Sequence, residues 1–219
     1  TKNFMITDGR YSEAVSGISG FKLLERSSDN TLESIFIKLS KEIKNIGVEG
    51  DNITFSESKN LKKYFKIKPI KDLHDLRIVK DKSEIAKIEK ACNLGDKAFE
   101  FILKKLKIGI SEKEIAFEIE MFIKKSGADT SFPPIVAFGK NSSLPHYKTN
   151  DQRLKTNSII LLDFGVKLDD YCSDMSRTVF FGKADSKFKK IYKTVLDAQQ
   201  KAIDSLSDIS IYNTSKQRA

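Results

Sequence analysis

The apolar residues of this chain change period several times, and each change marks an element. Phe4-Met5-Ile6-Thr7 has the dense composition of a short strand, Asp8-Gly9-Arg10 that of a turn, and a helix begins within Tyr11–Val15. Thr31–Ile43 is amphipathic, with Leu32, Ile35, Leu39 and Ile43 at helical spacing. Asn45–Gly50 reads as a strand, Ser56–Phe65 as a helix, and Lys66–Ile70 as extended chain around Pro69. Near residues 71–80 the character changes. Asp81 and Glu84 form a capping box that opens a helix to about Leu106, with Ile85, Ile88, Cys92, Phe99, Ile102, Leu103 and Leu106 on one face. Ser111 and Glu114 form a second box, before a helix that points Ile115, Ile119, Phe122 and Ile123 inward and closes at Ser126-Gly127. Ser131–Phe138 reads as a strand interrupted by Pro133-Pro134, Gly139–Asn157 as a loop, and Asp185–Leu206 as a last helix before a patternless end. Strands and helices alternate, so the class is α/β, or more broadly α+β, with a domain boundary near residue 78.

Between the long loop and the last helix lie Ile159–Val166 and Tyr171–Val179, two apolar, β-branched runs separated by Lys167-Leu168-Asp169-Asp170. Folded as a hairpin centred between Leu168 and Asp169, they place Asp163 directly across from Asp174, with Cβ atoms about 5 Å apart. Like charges repel there by roughly 4 kcal/mol at about 4 Å and an effective dielectric of about 20. Ile159 and Leu161 share the strand face of Asp163, so the setting is expected to be dry. Four readings stay open: a divalent cation held between the carboxylates, an acidic pair that points into solvent, a structural pair answered by a lysine or arginine such as Arg177, or a different register.

Composition narrows the partners. The 219 residues are 39% hydrophobic and 32% charged, ordinary for a folded globular protein. No apolar run reaches the roughly 20 residues of a membrane span, and no signal-peptide pattern opens the chain, so no membrane partner is expected. Thr1-Lys2-Asn3-Phe4-Met5 reads like the interior of a folded unit. The net charge of +9 raises the question of nucleic acid. Its lysines are scattered over helix faces without interleaved aromatics, which argues against such a partner. Cys92 and Cys172 make no C-x-x-C and too few cysteines for a disulfide framework, which fits reduced thiols and a cytoplasmic location. Only two histidines occur: His74, in the interdomain stretch, and His146, in the loop Gly139-Lys140-Asn141-Ser142-Ser143-Leu144-Pro145-His146-Tyr147. A histidine in a long irregular loop just upstream of paired aspartates can donate to an oxyanion or shuttle a proton.

Taken together, these segments resemble a known family. Gly-x-Asn-x-x-x-Pro-His, then Leu-Asp-Phe-Gly, then Tyr-x-Ser-Asp-x-x-Arg-Thr, with the aspartates eleven apart, is similar to the pita-bread metallopeptidases. These include Xaa-Pro aminopeptidase, Xaa-Pro dipeptidase and methionine aminopeptidase. Leu76–Ile85 resembles the first helix of their catalytic domain. Ile6-Thr7-Asp8-Gly9-Arg10-Tyr11 and Val48-Glu49-Gly50 resemble the creatinase-type amino-terminal domain of the Xaa-Pro branch, and Pro-His-Tyr also favours that branch.

The resemblance implies that Asp163 binds one of two divalent metals, that Asp174 bridges both, and that His146 contacts the substrate. It implies metal-assisted hydrolysis of peptides with proline at the second position, with manganese first among cobalt, zinc and iron as cofactors, and a homodimer at full length. Ser173, Arg177 and Thr178 become candidates for supporting the ligands, with Arg177 on the face opposite Asp174; Tyr171 and Phe164 are expected in the core. Two departures stand out. Asp170 replaces a glycine usual before the tyrosine. The later histidine and two glutamates that complete such a metal site do not occur, since no histidine follows Asp174. The chain therefore reads as a fragment: an incomplete creatinase-type domain over residues 1–77, then the first half of a pita-bread domain over 78–219, inactive by itself and exposing apolar surface. The rival reading is a pita-bread relative without metals that serves as a protein-binding module. Creatine-type amidinohydrolysis on the same fold is a third.

Overall fold

The computed structural model of the protein describes residues 3–70 and 75–216, with side chains to residue 206. His74, read above as linker surface, lies outside the described residues. The chain divides into two compact units, Thr1–Val79 and Lys80–Ala219.

The first unit alternates β1 (Phe4–Asp8), α1 (Ser12–Ser16), β2 (Lys22–Arg26), α2 (Leu32–Leu39), β3 (Asn45–Glu49), α3 (Phe55–Leu61), β4 (Lys66–Ile70) and α4 (Asp75–Ile78). β1 pairs in parallel with β2, and β3 with β4. The order follows from local chemistry: Thr31 caps α2 through the Ser34 amide, and Thr54 with Glu57 makes a capping box for α3. Ile35 and Phe65 are buried here. β2 and α4 have no counterpart in the sequence reading, and α2 ends at Leu39 rather than Ile43.

The second unit opens with α5 (Lys82–Leu103) and α6 (Glu112–Lys125), each started by the expected capping box. There follow β5 (Asp129–Thr130), β6 (Ile135–Phe138), a 3₁₀ turn at Gly139–Ser143, β7 (Ser158–Phe164), β8 (Val166–Leu168), β9 (Tyr171–Cys172), β10 (Met175–Phe181) and α7 (Ser186–Lys216). The strands form two three-stranded sheets, ordered β10-β7-β6 and β5-β8-β9. One hairpin therefore belongs to both sheets. β7 and β10 are its base, β8 and β9 its tip, and it crosses between sheets at Gly165 and Ser173-Asp174. Of the expected strand 131–138 only β6 forms, after Pro133-Pro134, while β5 in the other sheet ends at Thr130, just before that stretch.

Burial follows the strand period. Ile160, Leu162 and Phe164 of β7 are fully buried with Ile115, Ile119 and Ile123 of α6, while Ile159, Leu161 and Asp163 face the more open side. α5 packs against β8, β9 and α6. Its buried stripe is Ala91, Gly95, Ala98 and Ile102; of the larger residues expected, Ile102 is fully buried and Phe99 and Leu106 pack against the core in part. Ile85, Cys92 and Leu103 are exposed. A β-carbon on Gly95 would meet Met175 at 3.4 Å and the Ser173 hydroxyl at 3.6 Å. Close approach to the hairpin thus selects small residues there. α7 extends beyond the expected end at Leu206 to Lys216 and leaves Phe188, Ile191, Tyr192, Val195, Ile203 and Leu206 exposed.

Candidate metal site at the hairpin crossing

Asp163 is the second-last residue of β7, and Asp174 lies in the short break before β10. The hairpin turns on Asp169-Asp170, with φ of 50° and 66°, rather than between Leu168 and Asp169. A two-residue turn with both central residues left-handed suits the twist of a hairpin, and aspartate tolerates that conformation where leucine does not. Asp170 thus occupies the strained position that a glycine would take freely. The partners shift by two: Lys167 pairs with Cys172, and Asp163 with Ser176. The expected direct Asp163–Asp174 pairing is corrected to a diagonal one. A two-residue shift preserves the strand face, so the carboxylates stay neighbours.

The two carboxylates are close enough for Asp174 to disfavour the charge on Asp163. Burial raises its pKa, the Asp174 charge raises it further, and a hydrogen bond with Ser176 opposes both. The dry setting does not hold. Asp163 is only part-buried and Asp174 is exposed, because the core packs on the other face of β7. Among the described residues no lysine or arginine forms an ion pair with either aspartate. Arg177 binds the Ser176 carbonyl at 3.0 Å and approaches Asp96 at 3.9 Å. The reading in which Arg177 answers the acidic pair is thereby set aside.

The crossing is built to hold Asp174 in place. Ser173 is buried; its amide donates to the Val166 carbonyl at 2.8 Å and its hydroxyl accepts from the Val166 amide at 3.0 Å. Its own carbonyl accepts from the Ser131 hydroxyl at 3.0 Å. Gly165 lies directly beneath, where a β-carbon would overlap the Ser173 carbonyl and the Ser131 hydroxyl. The glycine after Asp163-Phe164 is therefore required by close approach. Phe164 is core, as expected. Tyr171 is half-buried; its hydroxyl donates to Glu84 at 2.9 Å and its ring lies under the Lys87 ammonium, which ties the tip to α5. Thr178 is exposed, opposite Leu161.

His146 stands exposed in a turn of the loop that follows the 3₁₀ segment. Among the described residues no group of three His, Cys, Asp or Glu side chains comes together to hold a metal ion. The donor set is thus two carboxylates. They fit a hard divalent cation as oxygen ligands, in a place where burial and the Asp174 charge disfavour the ionised form of Asp163. A residue the sequence reading passed over is Glu112, a buried carboxylate tied to the His146 loop on both sides. Its position just after an N-cap is ordinary for glutamate, so the sequence carries no signal of it.

The sequence profile of metallopeptidase family M24 matches residues 86–212, and that of the creatinase/prolidase N-terminal domain matches residues 1–79. A peptidase of Bacillus subtilis, YqhT, is 36% identical over 204 residues, covering 90% of this chain and 58% of its own length. A Xaa-Pro dipeptidase of Pyrococcus horikoshii is 36% identical over 175 residues, covering 78% of this chain and 50% of its own. Among solved structures, X-Pro aminopeptidase from Thermotoga maritima superimposes with a TM-score of 0.84 at 30% identity, over 93% of this chain and 60% of that one. Prolidase from Pyrococcus furiosus gives 0.79 at 31% identity, over 90% and 58%. The fold is therefore that of part of a pita-bread prolidase, and the chain spans a little over half the length of the relatives it matches.

Proposed function

The chain belongs to metallopeptidase family M24, and from that premise we propose that it carries part of the metal site of a Xaa-Pro peptidase. The proposed reaction is hydrolysis of the bond between an amino-terminal residue and proline. The observation that carries it is the Asp163–Asp174 pair at the hairpin crossing, where the Asp174 charge raises the pKa of Asp163 and no lysine or arginine among the described residues forms an ion pair with either. A bound divalent cation, manganese by preference, would lower the pKa of its water and polarise the scissile carbonyl. Asp163 and Asp174 would supply oxygen ligands, and Ser176, hydrogen-bonded to Asp163, would help fix the direction of one carboxylate. His146 would donate to the substrate carbonyl oxygen from its exposed turn. The partners in this reading are peptides with proline second, and a second copy of the full-length protein. The location in this reading is the cytoplasm, which the two free cysteines suit.

Two carboxylates are too few for a pair of transition ions, so the 219-residue chain alone is expected to leave peptides intact. The test incubates the manganese-loaded chain with a Xaa-Pro peptide and with its Xaa-Ala counterpart. No cleavage above background is expected for either. Rapid turnover of the Xaa-Pro peptide that is lost in Asp174→Ala would show that the described pair is enough. Cleavage of both peptides alike would overturn the proline reading. Binding of either peptide with equal strength before and after metal chelation would favour a metal-free binding module.

A further inference from the structure

We propose that Glu112 is a positioning residue that fixes the Pro145-His146 turn. The proposal rests on the reading of His146 as a substrate-contacting group, but its geometry stands by itself. Glu112 opens α6 and is 0% exposed. Its carboxylate accepts four hydrogen bonds, one from the last residue of β6 and three from the loop that follows. Oε1 takes the Phe138 amide at 2.7 Å and Asn141 Nδ2 at 2.9 Å. Oε2 takes the Tyr147 hydroxyl at 2.7 Å and the Asn150 amide at 3.2 Å. Phe138 and Asn141 precede His146, while Tyr147 and Asn150 follow it. Each oxygen therefore holds one limb of the loop. Asn141 Nδ2 also reaches the Tyr147 hydroxyl at 2.6 Å and links the limbs.

A helix-starting role does not account for this side chain. The first turn of α6 is served by Ser111, whose hydroxyl accepts from the Glu114 amide at 3.2 Å. The Glu112 and Lys113 amides bond the Gln152 and Asn150 carbonyls at 3.0 Å and 3.1 Å. The carboxylate is thus left to the end of β6 and the loop that follows. Burying such a group is costly unless its lone pairs are filled, and here each oxygen has two donors. The tip at Leu144, Pro145 and His146 is exposed, so its order must come from its two ends. Burial, then donation to Glu112, pushes the Tyr147 phenol up to about 12, in keeping with a hydroxyl that donates to a carboxylate.

The experiment is ¹⁵N relaxation on the 219-residue chain and its Glu112→Gln and Glu112→Ala variants. Amides of Leu144, His146, Tyr147 and Lys148 are expected near the rigid value of about 0.85 in the native chain and below about 0.6 in Glu112→Ala. Glu112→Gln is expected to fall between, because its amide nitrogen cannot accept from the Asn150 amide. Ile119 and Leu162 in the core should keep their native values. A native loop already as mobile as the variants, unchanged loop order in Glu112→Gln, or an equal fall at Ile119 and Leu162 would overturn the proposal. Should Glu112→Ala not fold, the Gln variant carries the test. Order rather than turnover is read, so a failed peptidase assay leaves this result standing, and the reverse.

Discussion

Asp163 shows at the scale of one residue how a carboxylate held above its ordinary pKa differs from one held below it. Its pKa is raised by burial first and by Asp174 second, so the folded chain holds its proton more tightly than the unfolded chain does. Stability therefore falls as pH rises from the ordinary aspartate range through that raised value, and the cost is fully present above it. Asp8 shows the opposite sign. Its bond to Arg10 lowers it to about 2, so its contribution is present at neutral pH and is lost only as pH falls toward that value. In metal-free buffer Asp163→Asn should accordingly stabilise the chain at pH 7, by about 0.5 kcal/mol given solvent screening. The gain should vanish below the aspartate range. Urea titrations at pH 7 and pH 3.5 measure this, and a loss of stability at pH 7 would show that the carboxylate has a favourable partner.

At the scale of elements, the capping signals were the most legible part of the sequence. Asp81 with Glu84 and Ser111 with Glu114 start α5 and α6 where their patterns place them, because each box satisfies backbone donors locally. Ile115, Ile119 and Ile123 face inward as their spacing requires. What failed depended on neighbours far along the chain. The buried stripe of α5 is small because the hairpin passes close, which no periodicity in α5 reports. The register error came from treating Leu168 as a turn residue, although Asp169-Asp170 offered the pair better suited to positive φ. The face of the aspartates survived that error only because the slip was even. The crossing itself was invisible, since it depends on one strand changing sheets. Gly165→Ala tests it: the added carbon meets the Ser173 carbonyl and Ser131 hydroxyl, and a cost of about 3 kcal/mol is expected in urea unfolding. A change within about 0.5 kcal/mol, the range of neutral surface substitutions, would show that the crossing is not tightly packed.

At the scale of the whole molecule, the chain belongs to a peptidase family yet spans a little over half of its relatives, and its described residues supply two carboxylates. Asp174 is exposed, and Phe188, Ile191, Tyr192, Val195, Leu196, Ile203 and Leu206 along α7 are uncovered. No helix among the described residues is long and apolar enough to cross a membrane. The dry setting expected from sequence presumed packing on both faces of β7, whereas only the face of Ile160, Leu162 and Phe164 is sealed. Manganese binding by the purified chain, followed by electron paramagnetic resonance of the free ion, tests the central claim most directly. The account predicts one saturable site in the native chain that disappears in both Asp163→Asn and Asp174→Asn. Absence of saturable binding, or binding that persists unchanged in both variants, would contradict it.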